Sequence, residues 1–91
     1  MAQHDVAIPN TEGLHARPVM RFVALAAKFH SQIWVTNLTR NAERLDGKSA
    51  MQLMLLEATQ GCVLRIEAQG ADSQAAVTAL ADLIASGFDE S

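Results

Sequence analysis

Residues 13–29, GLHARPVMRFVALAAKF, carry the strongest pattern in the chain. Val19, Phe22, Val23, Ala26 and Phe29 recur at spacings of three and four, which puts them on one stripe of a helix over residues 16–29. Pro18 falls in the first turn, where its missing N–H costs no helical bond. Lys28 stands near the far end, where the helix dipole favours a cation. His15 directly precedes the helix. Histidine is a weaker N-cap than Ser, Thr, Asp or Asn, so capping alone does not account for it.

Before this helix, residues 3–8 (QHDVAI) alternate, with His4, Val6 and Ile8 on one side and Asp5 on the other, as in a strand. Pro9 ends that run, and residues 10–13 supply turn formers. After the helix, residues 32–37 (QIWVTN) are β-branched and aromatic, a second strand. Residues 37–41 can turn into a further short strand ending near Leu45, before Asp46 and Gly47 break the chain. Residues 49–57 (SAMQLMLLE) predict a short apolar helix with Ser49 at or near its N-cap. Residues 62–68 (CVLRIEA) alternate again, with Cys62, Leu64, Ile66 and Ala68 on one face and Arg65 and Glu67 on the other. Asp72 or Ser73 caps a last helix whose buried stripe is Ala76, Leu80, Leu83 and Ile84, and Gly87 stops it.

The order is βαββαβα. Strands with one apolar face need a cover on one side only, and three amphipathic helices supply it. The expected fold is an α+β two-layer open-faced sandwich: a four-stranded, mainly antiparallel sheet with three helices on one face. The 91 residues are read as one domain, 1–91.

Composition excludes several classes of function. Apolar residues make up 49% and charged residues 19%, an ordinary globular balance, and the net charge of −3 offers no clustered basic face for nucleic acid. The one cysteine, Cys62, cannot form an internal disulfide and reads as buried and inert. The opening MAQHDVAIPN has neither the basic start nor the apolar run of a secretory signal, and no apolar run approaches the ~20 residues that span a bilayer. The expected location is cytoplasmic. No spacing of Cys and His suggests a metal site, and His4 and His30 read as surface residues. Trp34 is compatible with either a core or a face position.

The chemistry concentrates at His15. A helix start presents unpaired N–H groups and partial positive charge, a ready site for an anion such as phosphate. An imidazole nitrogen is a nucleophile toward a phosphoryl donor. The phosphoryl oxygens would then meet the backbone N–H groups of Ala16 and Arg17, with charge-assisted hydrogen bonds from the Arg17 guanidinium.

Gly-Leu-His-Ala-Arg-Pro at 13–18, in a 91-residue βαββαβα chain with Asp-Gly-Lys-Ser-Ala-Met at 46–51, resembles the HPr family. These are the histidine-containing phosphocarriers of the bacterial phosphoenolpyruvate-dependent sugar phosphotransferase system. The resemblance covers essentially the whole chain. It implies that His15 takes a phosphoryl group on Nδ1 from phosphorylated enzyme I and gives it to a histidine of an EIIA domain. It also implies that Arg17 stabilises the phosphate, and that the protein is a carrier without a cofactor rather than an enzyme. Ser49 matches the serine that an ATP-dependent HPr kinase/phosphorylase modifies in many members. A phosphoserine there would add negative charge beside the docking surface. Gln52 departs from the glycine common at that position, which puts kinase recognition in doubt.

Partners need an apolar ring around His15. Its candidates are Ala16 and Met20 on the first helix and Ala50, Met51 and Met54 on the second, methionine being adaptable to several surfaces. Met54 fits core and interface equally, and Arg21 and Lys48 could frame the patch with charge. A monomer is the simplest state. Two other readings stay open: a nitrogen-branch or other regulatory member of the same family, and a non-phosphorylated binding module acting through the patch around Ser49. A stand-alone enzyme is disfavoured, because the sequence offers one nucleophile and no obvious base beside it.

Overall fold

The alternating runs do become strands and the 3.6-residue stripes helices. The computed structural model describes residues 1–88, over which the order is β1 (Ala2–Ala7), α1 (Ala16–Ala26), β2 (Gln32–Asn37), β3 (Leu45–Asp46), α2 (Ala50–Met54), β4 (Val63–Gln69) and α3 (Ser73–Ala85). The strands form one sheet in the order β1-β4-β2-β3, and every pairing is antiparallel. The open-faced α+β sandwich is as expected.

Alternation decides which face is covered. In β2, Ile33, Val35 and Asn37 are buried, and in β4, Leu64, Ile66 and Ala68 are buried, while the residues between them are not. Register places Ile33 opposite Ala68 and Val35 opposite Ile66, so both strands turn the same stripe to the core. Onto it pack Val19, Phe22 and Ala26 of α1, Leu53 of α2, and Ala76, Val77, Leu80, Ala81 and Ile84 of α3. The last helix therefore buries Val77 and Ala81 beyond its expected stripe, and Leu83 is only partly buried. The open face is polar: Arg65 of β4 donates twice to Asp5 of β1, at 2.8 and 3.1 Å. Trp34 stands on this face, opposite Glu67 and capped by the guanidinium of Arg44 at 4.2 Å from the ring centre. His4 is in phase with the core-facing residues yet exposed, because β1 is an edge strand.

Beyond one-residue shifts in β1 and β4, three boundaries differ from expectation. α1 stops at Ala26 rather than at residue 29, since Lys28 and Phe29 donate to carbonyls three residues back and tighten the last turn. α2 ends at Met54 rather than at residue 57. Leu55 and Leu56 again bond three residues back, Asn37 Nδ2 takes the Leu56 carbonyl at 3.0 Å, and Glu57 turns the chain with φ of 52°. Third, the strand expected to end near Leu45 is instead only the pair Leu45–Asp46.

Asp72 does occupy the N-cap of α3, but its side chain caps nothing there. Its carboxylate accepts from the backbone N–H groups of His30 at 2.8 Å and Ser31 at 2.9 Å, and from the Ser31 hydroxyl. The residue ties the entry of β2 to the start of α3.

Candidate functional site

His15 sits at the N-cap of α1 in extended backbone, φ −111° and ψ −167°. Its carbonyl accepts the first helical bond, from Val19 N–H at 2.9 Å, while its side chain caps no amide. Pro18 has no N–H. The amides that open the helix, those of Ala16 and Arg17, receive no cap from the His15 side chain, and no acidic residue occupies the first turn. His15 therefore stands in the positive field of a helix start.

The ring is partly open to solvent: the His15 side chain is 36% exposed. Its two nitrogens are not equivalent. Nε2 is enclosed and lies 3.2 Å from Oε2 of Glu12, within ion-pair range but off the line of a hydrogen bond. Glu12 is an acidic neighbour where the sequence reading found no obvious base beside His15. Nothing in the chain's periodicity points to it, because residues 10–13 form a turn outside any regular element. That turn is pinned at both ends. Asn10 Nδ2 donates to the Gly13 carbonyl at 2.7 Å, Gly13 N–H donates to the Asn10 carbonyl at 3.1 Å, and Leu14 N–H donates to the Ala58 carbonyl at 2.8 Å.

Arg17 is exposed one helical step beyond Ala16, with its guanidinium in no ion pair or hydrogen bond among the described residues. Ser49 caps α2 as expected, its hydroxyl accepting from Gln52 N–H at 3.2 Å. The Gln52 side chain is engaged as well, accepting from Asp46 N–H at 2.9 Å. Lys48 and Arg21 do not stand as a loose basic frame. Lys48 Nζ donates to the Phe29 carbonyl at 2.7 Å and Arg21 Nη1 to the Phe88 carbonyl at 2.9 Å.

A family model described as "PTS HPr component phosphorylation site" matches residues 2–86. The chain belongs to the HPr family. A phosphocarrier protein HPr of Neisseria meningitidis serogroup A is 43% identical over 90 residues, covering 99% of this chain and 98% of that protein. A crystal structure of HPr from Thermoanaerobacter tengcongensis superposes with a TM-score of 0.92 at 43% identity, covering 100% of this chain and 99% of that one. A multiphosphoryl transfer protein of Haemophilus influenzae is 43% identical over 83 residues, which are 91% of this chain and 17% of that longer protein. HPr proteins are phosphocarriers of the phosphotransferase system, not catalysts.

In this HPr-family chain the expected apolar ring divides. Met20, Met51 and Met54 are 59%, 80% and 49% exposed, so Met54 is a surface residue and not part of the core. Ala16 is exposed and Ala50 half-buried. These residues lie on α1 and α2, which pack against each other. Leu55, 68% exposed, extends the set and was not expected, because an apolar residue in an apolar run reads as core. Cys62 is buried, and the Thr59 hydroxyl 3.5 Å away holds its thiol below the usual cysteine range. Among the described residues no helix is long and apolar enough to cross a membrane.

Proposed function

We propose that this protein accepts a phosphoryl group on Nδ1 of His15 from phosphorylated enzyme I and donates it to a histidine of an EIIA domain, in the cytoplasm. The observation that carries this reading is the partly open His15 ring at the N-cap of α1, whose opening amides its own side chain leaves uncapped. The enclosure of Nε2 supports Nδ1 as the reacting nitrogen. The Nδ1 lone pair attacks phosphorus, an N–P bond forms, and the bond to the donor nitrogen breaks with its electron pair returning to the donor. The Ala16 and Arg17 amides and the Arg17 guanidinium receive the phosphoryl oxygens, a preorganised site for charge that is already present on the group. Onward transfer repeats the exchange in reverse.

The exposed side chains of Met20, Met51 and Met54, with Ala50, form the surface on which both partners dock. Exposed apolar groups of this size mark an interaction face, and flexible methionines suit two different partners. Ser49 is the candidate regulatory site for an HPr kinase/phosphorylase: phosphorylation would put about two negative charges beside that face.

Incubation with enzyme I and labelled phosphoenolpyruvate tests the reading. Acid-labile label on the wild type, absent from His15→Ala and chased onto an added EIIA domain, is the expected result. Absence of label where a control HPr is labelled would overturn it, and favour a binding module.

A further inference from the structure

The carboxylate of Glu12 reaches the His15 ring, with Oε2 3.2 Å from Nε2. We infer that Glu12 is a positioning residue for phosphoryl exchange at His15: its carboxylate holds the Nε2 proton, keeps Nδ1 as the reacting nitrogen and stabilises the cation that the reaction creates. The inference rests on the reading of His15 as the carrier residue.

A carboxylate only accepts, so the imidazole nitrogen that faces it is the one that bears the proton. Oε2 of Glu12 lies 3.2 Å from Nε2, and Nε2 is enclosed. The second ring nitrogen, Nδ1, then carries the lone pair. The approach of Glu12 is set by a stiff turn: the Asn10–Gly13 bonds close it on one side, and the Leu14–Ala58 bond anchors it on the other.

The electron count gives the carboxylate a task. When the Nδ1 lone pair forms the bond to phosphorus, no proton leaves the ring. Nε2 keeps its hydrogen, and the phosphorylated ring carries a positive charge, while the donor ring that loses the phosphoryl group becomes neutral. A carboxylate at Nε2 meets that new charge directly. The arrangement has the logic of an acidic residue that holds a catalytic imidazole in one tautomer and stabilises its cation. The present contact is off-line, and such contacts tighten once the charge they serve has formed.

The Glu12 side chain is 77% exposed, so solvent screens the pair and the effect is modest. A loss of roughly two- to five-fold in the rate of phosphorylation follows for a pair of this kind.

Three proteins, wild type, Glu12→Gln and Glu12→Ala, separate the possibilities. Long-range 1H–15N NMR at about pH 9, where the imidazole is neutral, reads the tautomer. Potassium phosphoramidate, a small donor that needs no docking, reads the intrinsic phosphorylation rate. In wild type the proton sits on Nε2. Glu12→Ala raises the Nδ1–H form and slows labelling two- to five-fold. Glu12→Gln, whose amide oxygen still accepts from Nε2–H but carries no charge, keeps the tautomer and slows labelling. Equal tautomer populations and equal rates in wild type and Glu12→Ala would overturn the inference while leaving His15 as carrier. If instead the tautomer follows Glu12 and enzyme I fails to label His15, the positioning contact stands and the carrier reading falls.

Discussion

The backbone N–H of Leu14 donates to the carbonyl of Ala58 at 2.8 Å, tying the residue before His15 to the chain that leaves α2. Two segments far apart in sequence meet there with no room between them. Gly13 makes the approach possible: at φ of 68°, a Cβ on it would lie 2.5 Å from the Ala58 carbonyl oxygen and 2.8 Å from Thr59 Cα. Both neighbours are backbone and cannot swing aside. Gly13→Ala is therefore expected to destabilise the protein by about 1–3 kcal/mol, through left-handed strain and displacement of the 58–59 segment. Urea denaturation measures it. The same variant should take up phosphate from enzyme I more slowly, because His15 is attached to the displaced turn.

Arg17 separates phosphate stabilisation from folding. Its side chain is exposed, so Arg17→Ala should leave stability within about 0.5 kcal/mol of wild type. Loss of a charge-assisted contact to the phosphoryl oxygens should slow phosphorylation about ten-fold, the kinetic equivalent of roughly 1.4 kcal/mol. Arg17→Lys keeps the charge but not the planar fork, and should recover only part of the rate.

Docking is tested at Met51, which is 80% exposed. Met51→Ala removes little that folding needs, so the denaturation midpoint should hold. If the residue anchors a partner, the KM for the protein in transfer from enzyme I should rise about ten-fold, the usual scale for an interface anchor above 1 kcal/mol. Phosphoramidate labelling, which involves no partner, should be unchanged.

Asp72 predicts an acid dependence. Hydrogen bonds from the Ser31 hydroxyl, foremost, and from the His30 and Ser31 backbone lower its pKa from 3.8 to about 2. A carboxyl whose folded value lies below its unfolded value contributes stability that is fully present above the unfolded value. That contribution is lost as pH falls through the folded one. Asp72→Asn should thus be less stable than wild type at neutral pH, with the difference shrinking between pH 3.8 and about 2. Thermal unfolding at a series of pH values across that window checks the sign.

Periodicity made the layers readable. The stripe of Val19, Phe22 and Ala26, the alternation of Leu64, Ile66 and Ala68, and the run of Ala76, Leu80 and Ile84 all point to the core in the folded chain. What periodicity does not carry is where the chain must turn for the sake of distant segments. Residues 49–57 read as a helix by apolar content. The chain leaves that path after Met54, and at Glu57, with φ of 52°, it turns back toward Gly13. The same limit hid Leu55, whose apolar character says nothing about a partner. It hid Glu12, whose meeting with His15 depends on a turn rather than a repeat. Asp72 fitted the pattern of a cap, but Ser31 and His30 offered it better-placed donors. At the site, the positions of His15 and Ser49 at helix starts were legible because helix starts have simple capping and electrostatic rules.

The most direct measurement is the attachment site of the phosphoryl group. Wild-type protein is phosphorylated with enzyme I and phosphoenolpyruvate and examined by 31P and 15N NMR. The account predicts one phosphoryl group per chain, bonded to Nδ1 of His15 and missing from His15→Ala. A phosphoryl group on Nε2, on another residue, or persisting in His15→Ala would contradict it.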